Sequence, residues 1–201
     1  EKALADIRVL LVVRPDDTDA LLLRIAVYRE TGKFDQARTE LTDAIAKHKF
    51  QDFEPRLFRA RGFLNFATGK FSDAFEDFDK LIFRRQAIGD DYAGRCLALA
   101  ALGKAKEGMR DCDKAVELNP RYASAHYSRG YSYFKLEQYD RALEEYNEAL
   151  RISPRLSQPL YARGIGKLKM GDSAGATEDI EAALKIDPIV DKKMAALGVA
   201  P

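Results

Sequence analysis

The residues of this chain that could do chemistry are few, and their spacing is more regular than their number. Two cysteines, Cys96 and Cys112, and two histidines, His48 and His126, occur in 201 residues. The cysteines stand sixteen positions apart. The same separation joins five arginines to five acids: Arg24 to Glu40, Arg61 to Asp77, Arg95 to Asp111, Arg129 to Glu145 and Arg163 to Asp179. A row of free guanidinium groups would suit acidic peptides or phosphates. An internal pair in each case is favoured, because an acid recurring in register satisfies each planar guanidinium locally. The cysteines fit either a disulfide or two small buried hydrophobes, and spacing alone leaves both open. His126 reads as a packed, hydrogen-bonded side chain, and His48 as a cation near a helix C-terminus. The chain has no His-Glu-x-x-His, no Cys-x-x-Cys, no Gly-x-Ser-x-Gly and no glycine-rich phosphate loop. Its carboxylates form no catalytic pair. No metal site, no cofactor and no enzymatic activity are expected.

Composition narrows the partners. Lys plus Arg total 33 against 32 for Asp plus Glu, so nothing in the charge favours a nucleic acid or an anionic membrane. The apolar fraction of 46% suits a folded chain. No apolar run approaches the length of a transmembrane helix.

The elements that must position these residues are repeated. Pro120, Pro154 and Pro188 are 34 residues apart, as are Arg61, Arg95, Arg129 and Arg163. Gly62, Cys96, Gly130 and Gly164 follow the arginines, and Tyr127-Ser128-Arg129-Gly130 is echoed by Tyr161-Ala162-Arg163-Gly164. A period of 34 with this pattern resembles the tetratricopeptide repeat, a helix–turn–helix unit. With the closing proline numbered 32, five units begin at Thr18, Pro55, Gly89, Ala123 and Ser157. Position 20, where the two helices meet closely, is Ala37, Ala74, Gly108, Ala142 and Ala176. Position 15, at the turn, is Gly32, Gly69, Gly103, Glu137 and Gly171; glycine there tolerates a left-handed backbone.

The resemblance implies an all-α fold of about twelve helices with no strands, a right-handed superhelix of stacked antiparallel pairs. The expected division is 1–17, the second helix of a repeat truncated at its N-terminus; 18–54, a repeat with Asp52, Phe53 and Glu54 inserted; repeats at 55–88, 89–122, 123–156 and 157–190; and 191–201, a short cap carrying Met194 and Leu197. Gln86 stands where a proline is usual, so residues 84–88 are expected to continue the helix or end it loosely. Residues 1–14 place Ala3, Ile7 and Leu10 at second-helix positions, with a first helix expected upstream.

A narrower resemblance rests on Arg95-Cys96, Asp111-Cys112-Asp113, Gly171-Asp172, Asp179-Ile180, Ile186-Asp187-Pro188 and Gly198. These segments look like a largely uncharacterised group of alpha-proteobacterial tetratricopeptide proteins with a cysteine in each helix of one repeat. That resemblance implies a bacterial, exported protein of the periplasm or cell envelope and favours the Cys96–Cys112 disulfide. The cytoplasm is the alternative if the thiols are free.

In this repeat family the first helix of each unit faces a concave groove. The predicted groove residues are Arg56, Arg59, Phe63 and Phe66 of the second unit, Tyr127, Tyr131 and Phe134 of the fourth, and Tyr161 and Lys169 of the fifth. Aromatic anchors with arginine nearby suit a protein or peptide segment. Some of these rings have an alternative place between neighbouring helices. Chaperone-binding relatives hold C-terminal carboxylates with Lys at position 5 and Asn at position 9. Here those positions carry Leu22, Arg59, Ala93, Tyr127 and Tyr161, and Ala26, Phe63, Leu97, Tyr131 and Ile165, so chaperone tails are disfavoured. The leading expectation is a non-enzymatic binding scaffold or adaptor. Two alternatives stand beside it: a self-associating structural repeat forming a homo-oligomer, and a regulatory arm of a larger protein.

Overall fold

The computed structural model describes residues 2–14, 16–47 and 54–201, apart from the side chains of residues 2–6 and 8. His48, Pro15, and Asp52 and Phe53 of the expected insertion lie outside the described residues. The described residues form twelve helices and no strand, and none of those helices is long and apolar enough to cross a membrane.

The chain divides into two compact units, Glu1–Gln86 and Ala87–Pro201. The first contains α1 (Lys2–Val13), α2 (Thr18–Glu30), α3 (Phe34–Lys47), α4 (Pro55–Ala67) and α5 (Phe71–Phe83). The second contains α6 (Gly89–Ala101), α7 (Ala105–Leu118), α8 (Ala123–Lys135), α9 (Tyr139–Ile152), α10 (Ser157–Lys169), α11 (Ser173–Ile186) and α12 (Val190–Ala195). Helix starts are chemically marked. Asp17 accepts from the Ala20 N–H at 2.9 Å, Asp172 accepts from that of Gly175 at 2.9 Å, and Glu54 precedes a proline at the first turn of α4.

Each pair is closed by the same turn. The residue at position 15 sits at positive φ and the next N–H reaches back along the chain, as from Lys104 to the Leu99 carbonyl at 2.8 Å. Glu137 holds this conformation at φ 59° without being a glycine. The α5 terminus departs from the expectation of a loose or continuing end. Arg85 takes φ 56° and the Gln86 N–H donates to the Leu81 carbonyl at 3.1 Å. A proline at 86 would have no hydrogen to give, so this helix stops at Phe83 by a closed turn.

The small residues at position 20 are all buried, which lets the two helices of each pair approach. Positions 8 and 24 then meet: Gly62 under Phe78, Gly130 under Tyr146, Gly164 under Ile180, and Cys96 against Cys112. A Cβ on Gly130 would lie 2.7 Å from the Tyr146 ring, so the ring occupies the space that a side chain would need.

Candidate functional site

Each arginine named from its spacing meets its acid. The three aspartate pairs are bidentate through Nε and Nη2: Arg61–Asp77 at 3.0 and 2.7 Å, Arg95–Asp111 at 2.7 and 2.9 Å, and Arg163–Asp179 at 2.7 and 2.5 Å. The two glutamate pairs, Arg24–Glu40 and Arg129–Glu145, make one contact each at 2.7 Å. In both of these the buried arginine Nε has no hydrogen-bond partner. The two glutamates also serve other groups: Glu40 accepts from the Tyr28 hydroxyl at 3.3 Å, and Glu145 lies 2.8 Å from His126 Nδ1. With its Nε2 3.0 Å from the Pro120 carbonyl, His126 is a positioned side chain between helices. Each guanidinium of the ladder thus meets the acid of its own repeat, and three also reach the repeat before: Arg61 to Thr42 at 3.2 Å, Arg129 to Asp113 at 3.1 Å and Arg163 to Asn147 at 2.8 Å.

Position 11 tunes the pairs. In the fifth repeat it is Lys167, whose Nζ lies 2.9 Å from Asp179. Burial raises the Asp179 carboxyl, but hydrogen bonds from Arg163 and Lys167 outweigh it and hold the group below its ordinary value. In the second repeat the same place is Asn65, which donates to Asp77 at 3.2 Å. There burial dominates over Arg61, and the Asp77 carboxyl is raised.

Cys96 and Cys112 are joined in a disulfide with Cα atoms 5.4 Å apart. The Ser132 hydroxyl lies 3.2 and 3.4 Å from the two sulfurs. Among the described residues no group of three or more His, Cys, Asp or Glu is placed to hold a metal ion.

The predicted groove residues fall into two sets. In the first unit Arg56 is half-exposed and pairs with Asp19 at 2.5 Å and Glu54 at 3.0 Å, and Arg59 is half-buried. Phe63 stands edge-on to Phe78 at 5.0 Å and Phe66 is 5.3 Å from Phe71. These two rings pack within their own helix pair. In the second unit Lys169 is exposed, whereas Tyr127, Tyr131, Phe134 and Tyr161 are buried. The open aromatic groove expected at those four residues is thus covered here.

Phe134 packs edge-on against Tyr139 at 5.4 Å, whereas Tyr127 and Tyr131 are met by residues 194–197. Tyr127 donates to Met194 Sδ at 3.7 Å and Tyr131 donates to the Leu197 carbonyl at 2.7 Å. Val190, Met194, Leu197 and Val199 are buried in the same segment. Gly198, at φ 71°, ends α12 with the Val199 N–H on the Met194 carbonyl at 2.9 Å. This turn folds Val199 back toward Met194. The signal for α12 itself, an apolar Met194 and Leu197 after Pro188, was present in the sequence. The expected cover was of the last repeat; nothing in the sequence marked Val199, or Tyr127 and Tyr131 of the repeat before, as neighbours of Met194 and Leu197. Burial pushes the Tyr127 and Tyr131 hydroxyls well above the ordinary tyrosine value, so both remain donors.

Residues 22–91 and 123–156 each match the tetratricopeptide repeat. Among solved structures, a thermophilic TPR protein of Thermus thermophilus is similar with a TM-score of 0.73 at 21% identity, covering 89% of this chain and 98% of that one. MamA from Desulfovibrio magneticus RS-1 gives 0.60 at 18%, covering 85% and 94%. YrrB, described as a TPR protein with an unusual peptide-binding site, gives 0.56 at 17%, covering 96% of each chain. At these identities the likeness shows the fold. No curated protein matches the chain in sequence.

Proposed function

We propose that this chain of tetratricopeptide repeats is a non-catalytic scaffold that holds a segment of another polypeptide against α8 and α10 of its second unit. The observation that carries the reading is that this face already seats a polypeptide. Four apolar side chains of residues 190–201 are buried, α12 packs on α10 and α11, and the Tyr131 hydroxyl of α8 is bonded to a backbone carbonyl of the segment at 2.7 Å. A donor aimed at the main chain accepts many sequences, while the buried apolar positions select among them. YrrB, a structural neighbour, is described as having a peptide-binding site, which is consistent with this use of the fold.

Panning a random peptide library against the full chain tests the proposal. Enriched peptides are expected to share an apolar spacing. They should lose at least about fivefold in affinity when Tyr127→Phe and Tyr131→Phe are combined in a chain whose residues 190–201 are unseated by Met194→Lys and Val199→Lys, since two hydroxyl contacts to the peptide then disappear with little change in shape. Unchanged affinity in that variant, with helicity intact, would remove the face from consideration. The Cys96–Cys112 bond supports export to an oxidising compartment such as the periplasm. Intact mass after thiol blocking, with and without reductant, checks that placement: two thiols reactive without reductant would count against it.

A further inference from the structure

The segment covering the second unit has the character of a ligand. Its helix, α12, has six residues, too few to be stable alone in water. Its order therefore depends on the face beneath it. Buried and exposed positions alternate as in a bound amphipathic peptide: Val190, Met194, Leu197 and Val199 are buried, while Lys192, Lys193, Ala195, Ala196, Gly198 and Ala200 are exposed. The Lys193–Asp187 ion pair at 2.7 Å is local to the segment and half-exposed, hence weak, and the hydrogen bond from Tyr131 to the Leu197 carbonyl ties the segment to α8. The contacts that hold it use the same tyrosines that the repeat register places on the groove face.

We propose that residues 190–201 are a tethered occupant of the partner site, and that the partner is a polypeptide segment of the same chemistry. It would carry apolar residues at the spacing of Val190, Met194, Leu197 and Val199, one helical turn followed by a glycine reversal. This inference rests on the reading of the α8–α10 face as the partner site, and it adds both the class of ligand and the step that must precede its binding. A tether keeps the occupant at millimolar effective concentration. A partner therefore binds only as the tail leaves.

The test uses the full chain and a fluorescein-labelled synthetic peptide of residues 188–201. The variant Met194→Lys with Val199→Lys disrupts the seated tail and leaves the face untouched. Fluorescence anisotropy should show the peptide binding this variant at least about tenfold more tightly than the unmodified chain, as relief from a tethered competitor requires. Adding Tyr131→Phe to the variant should weaken that binding by about 2- to 12-fold, the value of one neutral hydrogen bond. A helical variant that fails to bind the peptide overturns the proposal.

If the variant does not fold, hydrogen exchange on the unmodified chain decides the question. The Leu197, Gly198 and Val199 amides are hydrogen-bonded within the segment. They should exchange at least about tenfold faster than the slowest amides of α10 and α11, through local opening. Exchange at the same rate as α10 and α11 would make the tail a permanent part of the fold and end the proposal. Enrichment of library peptides with no binding of the tail peptide would end this inference and leave the broader function standing.

Discussion

Breaking the Cys96–Cys112 bond has a magnitude that follows from its place in the chain. The cysteines are sixteen residues apart and tie α6 to α7 at the contact where other repeats set an aromatic or aliphatic side chain on glycine. Closing a loop of that length removes about 3 kcal/mol of unfolded-chain entropy at 25 °C. For a unit of this size that corresponds to a fall of about 10 °C in Tm. The assay has a built-in reporter. Eight of the nine tyrosines lie from Tyr92 onward and there is no tryptophan, so tyrosine emission follows the second unit. Thermal scans by emission and by far-UV circular dichroism, with and without reductant, should show the loss in the emission transition. A second variant examines the cause. Cys96→Gly with Cys112→Phe reproduces the Gly62–Phe78 contact and should recover about 1–2 kcal/mol through ring burial. A loss below about 1 kcal/mol on reduction of the wild-type chain would refute the reasoning, because the loop-entropy contribution would then be absent.

Further expectations rest on single sites. Glu137→Gly removes a left-handed conformation from a residue with a Cβ and should stabilise the chain by up to about 1 kcal/mol in urea unfolding. Tyr146→Phe deletes a buried hydroxyl that has no hydrogen-bond partner and should raise stability by about 1–2 kcal/mol, measured in the same way. Asp179 has a lowered folded value, so its stabilisation is present above the ordinary carboxylate value of 3.8 and is lost as pH falls through the folded one. Lys167→Asn gives that carboxyl the surroundings of Asp77, and the acid-side fall in urea midpoint between about pH 5 and pH 2 should become shallower.

The ladder, the turns and the helix pairs were legible because their partners share a repeat. Arginine and acid, as in Arg61 and Asp77, recur at a fixed separation, and a fixed separation repeated along a chain is visible without coordinates; Cys96 and Cys112 share that separation but occur once, so their spacing alone left the bond open. The quality of each pair was less legible. Aspartate reaches both Nε and Nη2 of its arginine, whereas Glu40 and Glu145 reach one nitrogen and also engage Tyr28 and His126. That difference depends on one methylene and on what stands across the helix pair. Gln86 looked like a degraded proline position, yet its N–H closes a turn.

The sequence by itself determined the repeat, its period, the helix pairing and the internal ion pairs, since all of these are local interactions that each unit restates. Only the tertiary structure decided that Tyr127 and Tyr131 meet Met194 and Leu197. The bond from Tyr131 to Leu197 spans 66 residues and that from Tyr127 to Met194 spans 67. Neither separation recurs as a register along the chain. A contact made once, between a backbone carbonyl beside a glycine turn and a side chain two repeats earlier, leaves no periodic trace. It exists because six helical residues cannot bury their apolar side alone and find that burial on the face nearest to them.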